Sequence, residues 1–509
     1  MSYFLGIDAG TTSLKAAVFN QNGKMMSLAR REYTLETPAP AMVELDAEIY
    51  WRTCCDVVRL AVQESQVQPS QVDSLCISSQ GETFVPLGQD GQPTHKAILW
   101  LDNRAARQAE EISEHFGIEK IYRSTGQPEV APTWPACKFL WLRQKDPAVF
   151  AQTAHFLLLE DYLLYRLTGQ FVTERGLQTS SLFVDLNTRQ WWPEMFDYVG
   201  ITPNQLGRLM DPGMGVGTLS PAGAEAVGLT ARTLAVTGSM DQSIGALGSG
   251  NIAAGLVTES TGGALGIVST VDQPVFDPQG RLPCYFHARK DFYALLPWGQ
   301  TAGMALRWFR DQFFPLESSA AVNSGLDAYD LMTQPAASVP PGSDGLIVLP
   351  HLEGAACPEF NRNARAVFFG ATLRHTRAHF TRAILESVAY MLRKNLEIVE
   401  RVGGPMREIR SIGGGARSRL WLQIKADVLQ KPVTTVDVEE AACLGAAMSG
   451  AVASGCYASL EEASNAMVRV RDRLEPNPAN ASAYQEGYAA YVELYNRLVP
   501  MFQLKETSS

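Results

Sequence analysis

Positive charge is scarce in this chain of 509 residues, which carries 43 Lys and Arg against 53 Asp and Glu. Nucleic acids and anionic membrane surfaces are bound by clustered Lys and Arg, so a net charge of −10 argues against both as the main partner. We therefore expect a small molecule as the partner, with no nucleic acid and no membrane.

Cysteine is also sparse, and the eight cysteines form neither a CxxC pair nor a dense framework. Scattered thiols are typical of a reducing cytoplasm, and they make a cysteine-bound metal improbable. Asp8 falls where a signal peptide would have its apolar segment. Residues 441–460 lack charge but consist mostly of Ala, Gly and Ser, which favours a buried helix over a bilayer span. These features predict a cytoplasmic protein.

The sequence lacks a GxxxxGKS or GxxxxGKT stretch, so a nucleotide would not be held by that kind of loop. The opening "FLGIDAGTTSLKAAVF" predicts another arrangement. Residues 4–7 and 14–19 read as two strands, joined by a tight hairpin whose tip carries Asp8, Thr11 and Thr12. Such a tip aims backbone N–H groups and hydroxyls at a small anion, and a nearby carboxylate can hold a metal ion. An ordinary hairpin with turn-forming residues is the open alternative.

The first half of the chain alternates strand-like and helical runs. Residues 74–78, 84–87 and 98–101 are strand candidates, and residues 105–116 predict a helix. This alternation is typical of α/β proteins, and the length of the chain predicts more than one core.

The second half repeats the opening design. Residues 256–271, "LVTESTGGALGIVSTV", predict strand, polar tip and strand. A helix over 379–404 ends at a Gly-Gly-Pro sequence. A short strand at 410–412 then breaks into the glycines 413–415 before a helix at 420–429, which lets a ligand lie against bare backbone.

Two similar halves, each opening with a phosphate-type hairpin, predict a ligand whose phosphates lie in the cleft between them. Asp8, Thr11 and Thr12 would approach the phosphates of ATP from one wall, and Thr261, Gly262 and Gly263 from the other. We therefore predict an α/β fold of two duplicated ribonuclease H-like (actin-like ATPase) domains with an inter-domain cleft. The predicted domains are residues 1–246 and 247–509.

Six segments together resemble the FGGY family of carbohydrate kinases, in family order and over almost the whole chain. They are "GIDAGTTSLKAAVF" (6–19), "WLDNRA" (100–105), "GSMDQSIGALGSG" (238–250), "ESTGG" (259–263), "GGGARSRLWLQIKADVL" (413–429) and "EAACLGAA" (440–447). The resemblance implies phosphate transfer from ATP, with Mg²⁺, to a hydroxyl of a small sugar or polyol.

The resemblance also implies roles for two carboxylates. Asp241 is predicted to lie in a glycine-flanked loop after the apolar strand 234–236, where the family places its general base, which accepts the proton of the attacking hydroxyl. Its other interpretation is a helix cap beside Ser239. Asp8 would hold the water shell of Mg²⁺, an ion that dehydrates reluctantly, or it could simply end a strand.

The remaining implied residues bind the sugar and the nucleotide. The sugar set is Gly81, Glu82, Trp100, Asp102, Arg104, Asp241 and Gln242. The nucleotide set is Asp8, Thr11, Thr12, Thr261, Gly262, Gly263, Gly303, Gly413, Gly414 and Gly415. Arg104 could instead pair with Asp102 and only hold the loop, Glu82 could pair with Arg104, and the glycines could serve only as turns.

The substrate is less sharply indicated. Xylulokinases usually carry Met-His where this chain has Gly81-Glu82, and glycerol kinases carry Arg-Glu. The later segments are closer to the pentulose kinases, so D-xylulose, converted to D-xylulose 5-phosphate, is the first expectation. Gluconate, ribulose, polyols and glycerol stay open, as do a non-kinase actin-like ATPase and an inactive sugar-binding module. The oligomeric state is open too, with a homodimer among the alternatives.

Overall fold

The computed structural model describes residues 2–317, 321, 325 and 327–503. The chain forms two compact units, each assembled from three segments. Unit 1 comprises Met1–Ala254, Thr270–Ala294 and Val438–Arg469. Unit 2 comprises Gly255–Ser269, Leu295–Asp437 and Val470–Ser509.

The described strands are numbered in chain order. They are β1 (Tyr3–Ala9), β2 (Ser13–Asn20), β3 (Met25–Glu32), β4 (Glu44–Leu45), β5 (Val72–Ser79), β6 (Phe84–Leu87), β7 (Ala97–Ile98), β8 (His155–Leu158), β9 (Val172–Glu174), β10 (Val184–Asp185), β11 (Gln190–Trp191), β12 (Arg208–Met210), β13 (Gly215–Thr218), β14 (Leu234–Met240), β15 (Leu256–Thr261), β16 (Leu265–Val271), β17 (Cys284–Phe286), β18 (Tyr293–Leu295), β19 (Trp298–Gly299), β20 (Ile347–Leu349), β21 (Val367–Phe369), β22 (Glu408–Ile412), β23 (Val433–Val436) and β24 (Val470–Leu474).

The described α-helices are numbered in the same way. They are α1 (Ala47–Ser65), α2 (Ala106–Phe116), α3 (Ile118–Thr125), α4 (Pro135–Lys145), α5 (Pro147–Gln152), α6 (Leu159–Thr168), α7 (Pro193–Val199), α8 (Pro221–Val227), α9 (Asp241–Gly248), α10 (Gly303–Phe313), α11 (Ala328–Ala336), α12 (Arg377–Gly403), α13 (Arg419–Leu429), α14 (Ala441–Ala453), α15 (Leu460–Met467) and α16 (Ala481–Gln503).

The main sheet of unit 1 has the order β13-β14-β5-β1-β2-β3. β1, β2 and β3 run antiparallel as the predicted meander, whereas β5 lies parallel to both β1 and β14. Asp8 faces Lys15 in the β1–β2 register, so it lies inside β1 and not at the hairpin tip. The strand pairing continues to Ala9 because the turn itself needs only the residues between Ala9 and Ser13.

The sheet of unit 2 contains the neighbouring strands β16-β15-β22-β23-β24. β15 and β16 form the second antiparallel hairpin, which confirms the repeat of strand, polar tip and strand. β22 lies parallel to β15 and leads into the glycines at 413–415, followed by a short 3₁₀ helix and then α13. The order predicted for this segment is therefore confirmed.

Two local predictions are wrong in detail. The strand expected at 98–101 ends at Ile98, because the N–H groups of Leu99 and Trp100 bond to Val43 and to the Thr83 hydroxyl instead of to a neighbouring strand. Asp241 does not lie in a glycine-flanked loop but is the first residue of α9, directly after β14.

Glycines bring α14 close to the elements that carry the candidate site of unit 1. A Cβ on Gly6 of β1 would lie 1.9 Å from the Cys443 carbonyl oxygen, and one on Gly445 would lie 2.0 Å from that of Ile244 in α9. Only glycine allows backbones to approach so closely. α14 is buried over most of its length, as the lack of charge predicts.

None of the helices in the described part of the chain combines the length and apolar character that crossing a bilayer requires.

Candidate active site

Three carboxylates of unit 1 influence one another electrostatically. The pKa of Asp241 is raised to about 7. Burial is the largest cause, and the charges of Asp8 and Glu82 contribute to the same rise. Burial also raises the pKa of Asp8 to about 6, although the Lys15 ammonium opposes the change. Carboxylates with raised pKa values that share a site are typical of functional centres. The structure thus groups Asp8, Glu82 and Asp241.

Glu82 is held in a strained backbone conformation within this group. Its φ of 58° lies in the left-handed region, which costs a non-glycine residue on the order of 1–3 kcal/mol and is found mostly at functional sites. Burial raises the pKa of Glu82, whereas a hydrogen bond with Ser180 and the charge of Lys138 lower it. Its neighbour Gly81 is buried.

Lys138 of α4 lies near Glu82 and Asp102 with its side chain fully buried. Its ammonium donates to the Leu99 carbonyl oxygen at 2.5 Å. Burial lowers the pKa of Lys138 to about 7, and the charges of Asp102 and Glu82 oppose that shift. Burial therefore outweighs the two nearby negative charges, and the Lys138 amine is only partly charged at neutral pH.

Asp102 and Arg104 pair with each other and do not present free polar groups. The Arg104 guanidinium donates to both Asp102 carboxylate oxygens at 2.7–2.9 Å and to Glu44 at 2.6 Å. Asp102 also accepts the N–H groups of Val43 and Arg104. Arg104 therefore pairs with Asp102, which is the alternative considered from the sequence. Its second partner is Glu44 and not Glu82.

The first hairpin tip contacts Trp100, one of the predicted sugar residues. The Trp100 indole N–H donates to the Thr11 hydroxyl at 2.9 Å, and 37% of the Trp100 surface stays exposed. Thr12 and Gln242 are exposed, and the Gln242 backbone N–H donates to the Asp241 carboxylate at 2.6 Å. This exposed tryptophan face is suited to the apolar side of a sugar ring.

The second hairpin tip, in unit 2, is tied to the start of α10. The N–H of Gly303 donates to the Gly262 carbonyl, and those of Ala302 and Met304 donate to the Gly263 carbonyl, at 2.8–3.0 Å. A Cβ on Gly303 would lie 2.3 Å from the Gly262 oxygen, so glycine is required there by close approach.

A cavity of about 340 Å³ lies beside this tip, entirely within unit 2. The predicted residues Thr261, Gly262, Gly263, Gly303, Gly414 and Gly415 all line it. Gly413, at φ 76°, turns the chain into this glycine segment. The rest of the lining includes the cations Arg307 and Arg417, the aromatic rings of Tyr329 and Trp421, and the carboxylate Asp330. Bare backbone, cations and aromatic rings suit the phosphates and the base of a nucleotide.

The carboxylates of unit 1 could supply part of the coordination of Mg²⁺. Within the described ranges, no group of three or more His, Cys, Asp or Glu side chains could hold a metal ion. Mg²⁺ is usually bound through one or two carboxylates, with phosphate oxygens and water completing its octahedron. Asp8, next to Asp241, therefore fits an ion that arrives with a nucleotide.

Sequence reasoning missed the buried lysines of both units and most of the side chains around the cavity. Lys138 and Lys425 each stand alone in an apolar helical run, "ACKFLWL" and "LWLQIKADVL", which was an available signal because isolated lysines are seldom buried without a partner. Tyr329 and Asp330 had no such signal.

Comparisons with known proteins agree over the whole chain. The FGGY family of carbohydrate kinases matches through its N-terminal domain at residues 3–248 and its C-terminal domain at 261–454. A xylulose kinase of Bacillus subtilis (strain 168) is 30% identical over 495 residues, 97% of each chain. A gluconokinase of Bacillus licheniformis is 30% identical over 499 residues, 98% of this chain and 96% of the other.

Solved structures give the same relationship. The ligand-bound xylulose kinase from Lactobacillus acidophilus superposes with a TM-score of 0.90 at 26% identity, covering 99% of both chains. The fold is therefore the two-domain, actin-like ATPase fold of these kinases. This chain belongs to the FGGY family of carbohydrate kinases and is a sugar kinase.

Proposed function

We propose that this sugar kinase transfers the γ-phosphoryl group of ATP to D-xylulose, giving D-xylulose 5-phosphate and ADP. The observation that carries the proposal is the grouping of Asp241, Glu82 and Asp8 beside a tryptophan, with the neighbouring Arg104 already paired. This environment suits a neutral, hydroxyl-rich acceptor.

The choice of a neutral sugar over gluconate depends on charge. A gluconate carboxylate would need a cation, because burying it among Asp241 and Glu82 without one is costly. Arg104 is engaged by Asp102 and Glu44, and burial lowers the pKa of Lys138 to about 7, so this lysine is only partly charged at neutral pH. Sugar hydroxyls need acceptors instead, and the Glu82 carboxylate can accept two hydrogen bonds.

In the proposed mechanism, Asp241 accepts the proton of the attacking hydroxyl as that oxygen bonds to the γ-phosphorus. Its raised pKa of about 7 makes it a more effective base at neutral pH than an ordinary aspartate. Asp8 would hold the hydrated Mg²⁺ that accompanies ATP, and the ion would supply neutralisation of charge on the phosphate oxygens.

The nucleotide would occupy the cavity of unit 2. Gly262 and Gly263 lie toward its phosphates, and the adenosine lies along Gly413, Gly414 and Gly415 with Gly303 opposite. The cavity volume of about 340 Å³ and its aromatic lining support this assignment. We further infer a cytoplasmic location, because ATP is needed and all eight cysteines are free thiols.

The test is ADP release from ATP with a panel of D-xylulose, D-ribulose, D-gluconate, ribitol and glycerol. We expect the highest kcat/KM for D-xylulose and a phosphate on C5 of the product by NMR. A higher kcat/KM for gluconate would overturn the assignment of the substrate. Equal ADP release with and without any acceptor would overturn kinase activity on these sugars.

A matched pair of variants tests Glu82 in the same assay. Glu82→Gln should raise KM for the preferred sugar about tenfold, the effect of losing a charged hydrogen-bond acceptor, and should leave KM for ATP within about twofold. Glu110→Gln, an exposed position on α2, is the control and should change neither constant. An unchanged sugar KM in Glu82→Gln would contradict the recognition role.

A further inference from the structure

A fully buried ion pair lies behind the second hairpin tip. Lys425 of α13 and Glu259 of β15 have no exposed side-chain surface, and Lys425 Nζ lies 2.6 Å from Glu259 Oε1. The Ser411 hydroxyl, on the adjacent strand β22, donates to the same carboxylate oxygen. All three residues belong to unit 2.

The pair holds the side chain of Thr261, the last residue of β15. The Thr261 hydroxyl donates to Glu259 Oε2 at 2.7 Å and accepts from Lys425 Nζ at 2.9 Å. A hydroxyl has one proton, so this proton points into the protein and not toward a ligand in the cavity. Thr261 nevertheless lines the cavity.

The held threonine also supports the facing glycine turn. A Cβ on Gly415 would lie 2.7 Å from Thr261 Cβ, so the two residues are in close contact. The Lys425 ammonium lies 5.1 Å from the centre of the Trp421 ring, which lines the same cavity. Lys425 and Glu259 therefore contact the tip directly at Thr261. Through Thr261 they also support the glycine turn at Gly415, and Lys425 contacts the Trp421 ring in the cavity lining.

Burying an ion pair at this position carries a large cost in free energy. Removing two charges from water costs several kcal/mol per ion, and an apolar pair of similar volume often gives equal or greater stability. An apolar pair does not fix the orientation of the threonine, because Leu has no hydrogen-bonding group and the Met sulfur is only a weak acceptor.

We propose that Lys425 and Glu259 are positioning residues for nucleotide binding, holding Thr261 so that the tip is preorganised for the phosphates of ATP. The inference rests on the proposed function, since it assigns the phosphates to this tip. The Thr261 hydroxyl acts through its inward hydrogen bonds and does not donate its proton to the nucleotide. Preorganisation lowers the ordering cost that binding would otherwise incur.

The test uses the full chain with Glu259 and Lys425 neutralised together. Glu259→Leu/Lys425→Met avoids leaving a lone buried charge, which either single change would do, and it removes the carboxylate and the ammonium that bond to the Thr261 hydroxyl. Its calorimetric Kd for ATP should rise about tenfold, while its Kd for adenosine stays within about twofold, because adenosine carries no phosphate. KM for ATP should rise in parallel, with kcat and the sugar KM within about threefold.

The control replaces a second Lys–Glu pair of unit 2. Lys431 and Glu400 form an ion pair of 2.8 Å that is partly exposed and does not contact Thr261. Glu400→Leu/Lys431→Met should leave the Kd for ATP within about twofold. A comparable loss in this control would show that any charge removal in unit 2 weakens binding, which overturns the inference.

Substitutions of Thr261 keep the inference testable even if the double variant fails to fold. Thr261→Val should weaken ATP binding about tenfold, and Thr261→Ser, which keeps the hydroxyl, should restore it. If Thr261 donated its proton to the phosphates, Thr261→Val would still lose affinity but Glu259→Leu/Lys425→Met would not.

The remaining outcomes are also decisive. ATP affinity equal to that of the parent in both the double variant and Thr261→Val overturns the inference, as does an equal loss of adenosine and ATP affinity. A parent protein that binds no ATP overturns the proposed function together with the inference. A parent that phosphorylates a sugar other than D-xylulose overturns only the substrate assignment and leaves the roles of Lys425 and Glu259 intact.

Discussion

Asp241 combines two conditions that a general base needs. It follows a buried strand directly, so its backbone is fixed by β14 on one side and by α9 on the other. Burial and the charge of Asp8 raise its pKa to about 7, close to the pH at which a metabolic kinase would work. A carboxylate with an ordinary pKa near 4 would be ionised but a much weaker base.

Replacing Asp241 by Asn should lower kcat by about 10²- to 10⁴-fold, the usual contribution of a positioned base. The nucleotide is assigned to unit 2, so calorimetric ATP affinity should change by less than about threefold. The measurement is steady-state turnover beside ATP titration. Turnover within a few-fold of the parent would remove Asp241 from the proton transfer.

The raised pKa of Asp241 also predicts the pH profile. Below about pH 7 the carboxyl group is protonated and cannot accept a proton, so kcat/KM should fall about tenfold per pH unit on the acid side. An acid limb near pH 4 would contradict the assignment. Asp8 and Glu82 face the same group and also carry raised pKa values, so the limb belongs to coupled carboxylates.

The raised pKa of Asp241 also makes the folding stability of the protein depend on pH. The folded-state pKa is above the usual 3.8, so ionisation costs the folded state stability as the pH rises from about 4 to 7. Asp241→Asn should therefore raise the melting temperature at pH 8 and leave it unchanged near pH 4. A lower melting temperature at pH 8 would show that the carboxylate stabilises the fold.

Among the secondary-structure elements, the helix α9, which begins at Asp241, packs closely against α14. Gly248 at the end of α9 approaches α14 so closely that a Cβ would lie 1.9 Å from the Ala441 carbonyl oxygen. Gly245 is in the same helix, but a Cβ there would meet its nearest neighbour, the Ala442 nitrogen, only at 4.0 Å. An alanine side chain would therefore collide with the backbone of α14 at position 248 but would fit at position 245.

Gly248→Ala should destabilise the protein by roughly 2–4 kcal/mol, because backbone atoms cannot yield as a flexible side chain can. Gly245→Ala is the matched control. Alanine should be neutral or slightly stabilising there, because alanine has a higher helix propensity than glycine. Urea unfolding of both variants gives the comparison. Equal stability of the two would contradict the close approach of α9 and α14.

At the scale of the whole molecule, unit 1 draws its core from distant parts of the chain. One buried cluster combines Phe4, Cys76 and Val236 of the main sheet with Leu444 and Met448 of α14. A fragment of unit 1 that lacks α14 would expose the sheet face that this helix covers. It would lose a large share of its buried apolar area.

We predict that residues 1–254 expressed alone do not unfold cooperatively. A fusion of Met1–Ala254, Thr270–Ala294 and Val438–Arg469 through short linkers is the matched control, because it restores all segments of unit 1. The fusion should show a single urea transition by circular dichroism, whereas the fragment should show a broad one with dye-accessible apolar surface. A sharp transition in the fragment would contradict the role assigned to α14.

Much of the fold was accessible from local pattern. Both hairpins, the long helix α12 and the order of strand, glycines and helix around 413–415 are confirmed, because hydrophobic periodicity and turn residues act over only a few positions. The boundary between predicted domains at residues 246 and 247 stays a prediction, and so do the roles of the site residues.

Side-chain partnerships were less accessible. The sequence suggested Asp102 or Glu82 as the partner of Arg104, whereas the folded loop pairs it with Asp102 and Glu44. Glu44 lies 60 positions away from Arg104, so no local pattern connects them. Such pairs are made by strand register and helix packing.

The sequence alone was sufficient for the α/β class, the duplicated hairpins and membership of a sugar kinase family, because each depends on short motifs whose chemistry is local. Only the tertiary structure decided that α14 completes the core of unit 1, that Asp241 has a raised pKa, and that Lys425 meets Glu259 across 166 positions of chain. Burial and charge pairing depend on which distant segments come together in space, and hydrophobic packing of the whole chain determines that.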